Sequence, residues 1–223
     1  MSPGRCGYDA RVWTSPFPEW VAFAALDESA LSHARAHPEE LATLSAAAVA
    51  KRRREFTLGR IAARQAIEAL GRAPTPILVG HNREPLWPEE LRGSITHSAG
   101  WAAAAVAPAE RTANLGLDLE DSGAITPGIE GAVTDAIERG WTGGDPVRVA
   151  KLFSAKESVF KAFHRFRRAY FGFDAVRLRW TGAGFEATLR EAMAPDWPAG
   201  ARVDIGCIQE GALVLSFLVL PPA

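Results

Sequence analysis

Two carboxylates lie two positions apart in a stretch of alternating polarity. Leucines alternate with smaller or polar residues from Asn114 to Glu120, so Asp118 and Glu120 should leave one face of a β-strand together. Like charges on a partly buried strand repel each other unless a cation lies between them. Oxygen ligands at this spacing can share a hard divalent cation such as Mg²⁺. The pair therefore predicts a metal site, with a solvated strand face as the alternative.

A third carboxylate, Glu157, lies four residues before Lys161 in a predicted helix from Val147 to Arg168. On a helix this spacing puts the carboxylate and the ammonium side by side, at the edge of a phenylalanine-rich apolar arc. Lys156 borders the other edge of that arc. Such pairs are often surface salt bridges, but this position favours a charged site beside a core.

A second group of charges is basic. Arg52, Arg53 and Arg60 belong to a predicted helix from Val49 to Leu70, and arginine forks match phosphate oxygens bidentately. His97 ends a short predicted strand at a turn. The alternative for the arginines is a solvated helix face, and the alternative for His97 is a structural role. Together with the carboxylates, these residues suit a phosphate-rich small molecule, because phosphoryl transfer needs mainly positioning and charge neutralisation.

Composition excludes several other classes of protein. The 223 residues include 25 Lys and Arg against 26 Asp and Glu, for a formal net charge of −1, and an acidic block from Glu110 to Glu138 opposes nucleic-acid binding. The longest apolar stretch, Trp101 to Ala107, is far too short to span a membrane. Cys6 and Cys207 are far apart, which predicts no disulfide framework and no zinc site. A reducing cytoplasm is the expected location.

The elements that must position these residues alternate between helix and strand. Acidic residues and Pro38 predict a helix that begins near His37, and Asp27 can cap an earlier helix to about Ala36. Period-two patterns predict strands at residues 93–97, 101–107, 114–120, 176–180, 185–189, 203–209 and 213–220. Residues 74–88 are predicted as loop with a short apolar run at 77–79, and residues 123–145 as a mobile acidic connection with weak helical character. These elements predict an α/β or α+β protein of two lobes that meet near Thr112.

Six motifs in this order make the sequence resemble the 4'-phosphopantetheinyl transferases, in the class that activates siderophore and peptide-synthetase carrier domains. The motifs are residues 52–56 (RRREF), 59–64 (GRIAAR), 85–88 (PLWP), 93–98 (GSITHS), 116–120 (GLDLE) and 153–161 (FSAKESVFK).

The resemblance implies two similar lobes related by a pseudo-twofold, with the active site between them. Residues 1–112 would form the N-terminal lobe, which binds the 3'-phosphate of coenzyme A. Residues 113–223 would form the C-terminal lobe, which holds Mg²⁺ and recognises the carrier. The implied reaction moves 4'-phosphopantetheine from coenzyme A to a serine of an apo acyl or peptidyl carrier protein and releases 3',5'-ADP. A monomer is expected, and a non-catalytic coenzyme A-binding or nucleotide-binding protein is the alternative.

The resemblance also implies roles for the acidic and lysine residues. Asp118, Glu120 and Glu157 would hold Mg²⁺, and Glu157 is also the candidate base, with the two roles left open. Lys161, together with Lys156, would neutralise phosphate charge.

The N-terminal lobe would supply the contacts to coenzyme A. Arg52 and Arg60 align with the binders of the 3'-phosphate, with Arg53 as an alternative to the first. Arg83 is the nearest basic residue before the PLWP motif. The 93–98 strand would bring Ser94 and His97 to coenzyme A. Arg167 and Arg168, at the end of the long helix, are candidates to meet an acidic carrier helix.

Overall fold

Two antiparallel sheets, each covered by one long helix, make up the computed structural model, which describes residues 13–167 and 171–222. The α-helices are α1 Pro38–Ala42, α2 Ala50–Ala69, α3 Pro127–Val133, α4 Ala136–Thr142 and α5 Pro146–Arg167. The strands are β1 Ala22–Asp27, β2 Leu78–Val79, β3 Pro85–Leu86, β4 Leu91–Ser98, β5 Trp101–Pro108, β6 Asn114–Asp121, β7 Val176–Trp180, β8 Gly184–Leu189, β9 Arg202–Glu210 and β10 Leu213–Leu220.

The N-terminal sheet has the order β1-β5-β4 and packs against α2. The helix buries an apolar stripe on this sheet and ends before Gly71, which adopts a left-handed φ of 72°. A Cβ on Gly59 would lie 2.8 Å from a methyl group of Ile95. The glycine therefore lets α2 approach β4 closely.

The C-terminal sheet has the order β6-β10-β9-β8-β7 and packs against α5. A Cβ on Gly116 would lie 1.9 Å from the Ser158 carbonyl oxygen, so only glycine permits this contact between β6 and α5. The Asn114 side chain donates a hydrogen bond of 2.7 Å to the Ala162 carbonyl, and Ser154 Oγ donates one of 3.0 Å to the Asp118 carbonyl. These bonds fix the position of the helix along the strand.

The two lobes share one plan. A strand is followed by the long helix and later by a hairpin whose last strand pairs with the first, as β1, α2, β4, β5 and again as β6, α5, β9, β10. Strands β7 and β8 extend the second sheet. The expected mixed fold of two similar lobes is confirmed.

The lobes meet where β4 lies beside β6. Ser94 Oγ accepts a hydrogen bond of 3.1 Å from the Leu117 amide, and Thr96 Oγ1 accepts one of 3.0 Å from the Leu119 amide. Leucines of β6 and alanines of β5 fill a third core between the two sheets. The ends of β4 and β6 are therefore held side by side, and those ends carry the candidate site.

Several local expectations are wrong. The sequence 74–88 contains the hairpin β2–β3 as well as loop, and β1 ends at Asp27, which caps only a 3-10 helix, Glu28–Ser32. The weak helical character expected for 123–145 takes the form of two short helices, α3 and α4. Cys6 and Arg168 lie outside the described residues. Among the described helices, none is both long enough and apolar enough to cross a membrane.

Candidate active site

Asp118 lies at the centre of the junction between the lobes. Its carboxylate is buried; Oδ1 accepts hydrogen bonds from Lys161 Nζ at 2.7 Å and from Thr96 Oγ1 at 3.3 Å. The same lysine also donates to the Leu117 carbonyl at 3.0 Å. The other oxygen, Oδ2, is buried without a hydrogen-bond partner. A buried carboxylate oxygen in this state needs a further donor or a cation.

Two more carboxylates face the same centre. Burial, followed by the charge of Asp118, raises the pKa of Glu120 to about 8, and the same two causes raise the pKa of Glu157. The pKa of Glu120 is raised further by Glu157, whereas Lys161 opposes both shifts.

These carboxylates suit Mg²⁺ without enclosing it. Their mutual repulsion and the orphaned Asp118 oxygen are the features that a hard cation would relieve. Among residues 13–167 and 171–222, no three His, Cys, Asp or Glu side chains are already arranged so that they could hold a metal ion. A cation here would therefore take its remaining ligands from water or from a phosphate-bearing substrate.

His97 connects this centre to α2. Its Nε2 lies 3.2 Å from Arg52 Nη1, and its Nδ1 lies 3.8 Å from a Glu55 carboxylate oxygen. Burial is the largest cause that lowers the His97 pKa, opposed by Glu55 and assisted by Arg52. The imidazole is thus a neutral hydrogen-bonding group between the acidic centre and the basic helix.

A groove of about 330 Å³ lies beside the start of α2. Arg52 and Arg83 both line it, together with Phe56 and Val79. Arg83 holds a left-handed φ of 69° in the turn between β2 and β3. Residues with a Cβ rarely adopt this conformation, and the few that do are concentrated at binding and active sites.

Arg60 lies directly behind this groove. Its guanidinium carbon is 4.4 Å from the centre of the Phe56 ring, and its Nε donates a hydrogen bond of 2.7 Å to the Ile77 carbonyl. Burial lowers the pKa of Arg60 to about 10. Because the bond to the Ile77 carbonyl uses only Nε of Arg60, its two terminal nitrogens can donate to another group, and a buried guanidinium of this kind favours a nearby anion.

Comparison with known proteins decides the family. Residues 37–107 match the model of the 4'-phosphopantetheinyl transferase N-terminal domain. Over 196 residues the chain is 37% identical to the 4'-phosphopantetheinyl transferase Svp of Streptomyces mobaraensis. This alignment covers 83% of this chain and 79% of Svp. It is 33% identical over 198 residues to PptT of Mycobacterium tuberculosis, covering 82% of this chain and 85% of PptT.

This chain belongs to the 4'-phosphopantetheinyl transferases. Enterobactin synthase component D of Salmonella typhi is a further relative, 35% identical over 134 residues, with 57% of this chain and 55% of that protein covered. The chain is thus a phosphopantetheinyl transferase of the siderophore and secondary-metabolite type, as the motifs predict.

Two expected ligand contacts of this transferase need correction. Arg53 donates to the carbonyls of Ala48 at 3.0 Å and Ala46 at 2.9 Å, so it fixes the loop before α2, and Arg52 is the arginine that lines the groove. The Ser94 side chain is buried in the junction between the lobes, where its hydroxyl bonds the Leu117 amide. Ser94 therefore joins the lobes of the transferase and does not face a substrate.

Lys156 also differs from the expectation. Its Nζ donates to the Val133 carbonyl at 2.7 Å, to Glu138 Oε2 at 2.8 Å and to the Phe173 carbonyl at 3.0 Å. These three bonds use all three donors of the ammonium group. No donor of Lys156 is left for a phosphate.

One apolar groove of the transferase has no counterpart in the sequence prediction. About 150 Å³ in volume, it opens beside Glu157 and is lined by Phe160, Phe171, Phe173 and Val176. The phenylalanines of 153–173 are the signal in the sequence, but their pattern alone does not tell core from groove. Thr96 and Glu55 lie within the 93–98 and 52–56 motifs, but the sequence predicts a role for neither, because nothing in a motif shows which of its polar side chains faces the acidic centre or His97.

Proposed function

We propose that the chain transfers 4'-phosphopantetheine from coenzyme A to a serine of an apo acyl or peptidyl carrier protein and releases 3',5'-ADP. The observation that carries this proposal is the meeting of three carboxylates with Lys161 and His97 at the junction of the lobes. A pyrophosphate requires both a cation site and neutralising donors, and both stand here side by side.

The N-terminal lobe, residues 1–112, would hold the 3'-phosphate. Arg52 and Arg83 line one groove, and Arg60 lies behind it, stacked on Phe56. A dianionic phosphate in this groove would give Arg52 and Arg83 a charge-assisted acceptor, with Arg60 behind the Phe56 ring. His97 bridges from Arg52 toward Lys161, so the pyrophosphate would run along the same path.

The C-terminal lobe, residues 113–223, would hold the metal and the reacting phosphate. Asp118, Glu120 and Glu157 are the residues that would hold Mg²⁺, since their repulsion and the unpartnered Asp118 oxygen fit a cation. When bound, Mg²⁺ withdraws charge from the pyrophosphate oxygens. Lys161 would neutralise charge on the transferred phosphate, because its ammonium already lies at the edge of this centre.

Glu157 is the base that we propose for the carrier serine. The serine oxygen forms a bond to the phosphorus that bears pantetheine, while the bond from that phosphorus to the bridging oxygen breaks and 3',5'-ADP leaves. The serine proton passes to Glu157, whose raised pKa suits a proton acceptor that works near neutral pH. No covalent intermediate on the protein is needed.

The groove beside Glu157 would receive the pantetheine arm. Its phenylalanine walls suit a flexible, largely apolar chain, and its position places the start of that arm next to the carboxylates. The two ends of coenzyme A would thus lie in different lobes, with the scissile bond between them.

Carrier recognition would use the basic end of the cleft between the lobes. Arg167 is engaged with Glu191 at 2.6 Å, whereas Arg165 is exposed and lines a cleft of about 580 Å³ opposite Arg92. Burial, followed by the charge of Arg165, lowers the pKa of Arg92, and Glu89 opposes this shift. Reversal of charge in Arg165→Glu should raise KM for an acidic carrier several-fold at low salt and leave coenzyme A affinity unchanged. Unchanged carrier kinetics at low salt would remove Arg165 from the interface.

One assay separates this function from a non-catalytic coenzyme A-binding protein. The purified chain is incubated with coenzyme A, Mg²⁺ and an apo carrier domain, and the carrier is weighed by intact mass spectrometry. We expect the mass of one phosphopantetheine on wild type and none with Asp118→Asn. An unmodified carrier, with coenzyme A still bound in calorimetry, would favour the binding protein. The monomeric state and the cytoplasmic location of the enzyme remain predictions. Light scattering of the purified protein tests the monomeric state.

A further inference from the structure

The Lys156 ammonium is buried inside the C-terminal lobe, and only 3% of the side chain is exposed. It binds the last residue of α3 through the Val133 carbonyl, α4 through Glu138, and the chain before β7 through the Phe173 carbonyl. One side chain of α5 thus holds three separate segments.

Glu138 completes this arrangement from the other side. Its side chain is fully buried, Oε1 accepts the Leu178 amide at 2.8 Å, and Oε2 accepts the Asp135 amide at 2.8 Å. The ion pair therefore connects α4 and β7 to α5, with every oxygen and every ammonium donor engaged. Such a fully satisfied buried network permits one geometry and resists small displacements.

The position of Phe173 depends on this pair. Its carbonyl accepts from Lys156, and its ring lies 5.7 Å from the Phe153 ring, edge to face. The same residue forms a wall of the apolar groove beside Glu157. The wall is held at its backbone by the ion pair and at its ring by α5.

We propose that the Lys156–Glu138 pair is a positioning device that sets the width of the groove beside Glu157 and so the affinity for the pantetheine arm, without touching a phosphate. This inference rests on the proposed function, which puts the arm in that groove. Glu138 is a positioning residue here, because it acts through Lys156 and Phe173. Lys156 also lines the groove itself, so Glu138→Gln is the variant that tests the positioning role alone.

Ligands with and without the pantetheine arm distinguish the proposed positioning role of the ion pair from a role in phosphate binding. Coenzyme A carries pantetheine, whereas 3',5'-ADP has both nucleotide phosphates and no arm. Loss of either member of the pair leaves an unpaired buried charge, and the segments around it must move to hydrate that charge. The groove should change shape, while the arginines of the N-terminal lobe keep their contacts.

The test compares Lys156→Met, Glu138→Gln and the double variant, with Lys151→Met as the matched control. Lys151 is a half-buried lysine of the same helix that lies over the Trp180 ring, away from the groove. Near-UV circular dichroism first establishes that each variant is folded. Calorimetry then gives the Kd of coenzyme A and of 3',5'-ADP, and carrier loading gives kcat and KM for coenzyme A.

We expect each single variant to weaken coenzyme A about tenfold or more, with the Kd of 3',5'-ADP changed less than about twofold. The double variant should be no weaker than the singles, because both changes disrupt one device. A normal KM in Glu138→Gln, or a parallel loss of 3',5'-ADP affinity, would overturn the proposal. If Lys156→Met does not fold, Glu138→Gln decides alone. A failure of the proposed function would appear in wild type as an unmodified carrier, whereas a failure of this inference appears only in the variants.

Discussion

The two lobes use the same device, a buried glutamate paired with a cation of the long helix, to hold a short helix, and the pair lies beside a different groove in each lobe. In the N-terminal lobe Glu40 is the third residue of α1 and caps its start; in the C-terminal lobe Glu138 does the same for α4. Both glutamates are fully buried, and each receives a cation from the long helix, Arg64 from α2 and Lys156 from α5.

The difference lies in what each pair supports. Glu40 also accepts the Ile77 amide at 3.0 Å, and the carbonyl of Ile77 holds Arg60 behind the phosphate groove. The Lys156 pair instead holds the wall of the apolar groove. Arg64 keeps 17% of its side chain exposed, against 3% for Lys156. A shared fold plan thus contains a partly exposed ion pair in one lobe and a fully buried one in the other.

The largest effect should come from the reacting centre of the C-terminal lobe. In Glu157→Gln the shape and one oxygen ligand remain, but the negative charge and the ability to take a proton are lost. We expect kcat at saturating Mg²⁺ to fall about 10²-fold to 10⁴-fold, with weaker loss of Mg²⁺ affinity. Calorimetric titration of Mg²⁺ with coenzyme A, beside rates of carrier loading, measures both. Full recovery of the rate at high Mg²⁺ would make Glu157 a ligand rather than a base.

The two buried pairs should differ in stability when their cation is removed. Lys156→Met should lower the free energy of unfolding by about 3–5 kcal/mol, because it strands a fully buried carboxylate. Arg64→Met should cost roughly 2 kcal/mol, because water can reach the vacated side of this partly exposed pair. Each glutamate keeps two backbone donors, so the difference between the variants comes from access of water. Urea unfolding measures both. Equal losses of stability in the two variants would contradict the prediction that water reaches the Arg64 pair but not the Lys156 pair.

Affinity for the 3'-phosphate of coenzyme A should depend on Arg52 and not on the adjacent Arg53. Arg52→Ala should weaken coenzyme A by about 1.5–3 kcal/mol and dephospho-coenzyme A much less, because a charge-assisted contact to the 3'-phosphate is lost. Arg53→Ala is the matched control, as its guanidinium binds backbone carbonyls of the loop before α2. Calorimetry with both ligands measures the effect; a similar loss for the two ligands would place the 3'-phosphate elsewhere.

The smallest effect should be a pH-dependent gain in stability at the acidic centre. Because the pKa of Glu120 rises from its ordinary 4.5 to about 8, its proton stabilises the folded state at low pH, and this contribution is lost as pH rises through that range. Without metal, Glu120→Gln should therefore gain about 1–2 kcal/mol over wild type at pH 9 relative to pH 5.5, after allowance for partial exposure. That is roughly 2–8 °C in Tm. Melting curves in chelator measure it, and an equal difference at both pH values would contradict it.

Sequence patterns were sufficient where one residue's neighbours along the chain decide its structure. The period-two run predicts β6 and the common face of Asp118 and Glu120, and the apolar stripe predicts α2 within a residue or two. The six motifs in their order identify the family. Short elements such as β1 and the β2–β3 hairpin escaped, because alanine-rich or two-residue strands have almost no periodic signal.

Only the tertiary structure decided which charged residues are left for ligands. In the sequence Lys156 and Lys161 are equivalent members of one motif, as Arg52 and Arg53 are of another. In the fold, Lys156 meets a buried glutamate from a segment 18 residues earlier, while Lys161 reaches the acidic centre. Residues five apart on a helix point about 140° apart, so Lys156 enters the lobe while Lys161 faces the cleft. Arg53 stays exposed, but backbone carbonyls of the preceding loop occupy its guanidinium, which leaves Arg52 for the groove. Which residue of each pair stays available depends on partners outside the helix, and no periodic pattern records those partners.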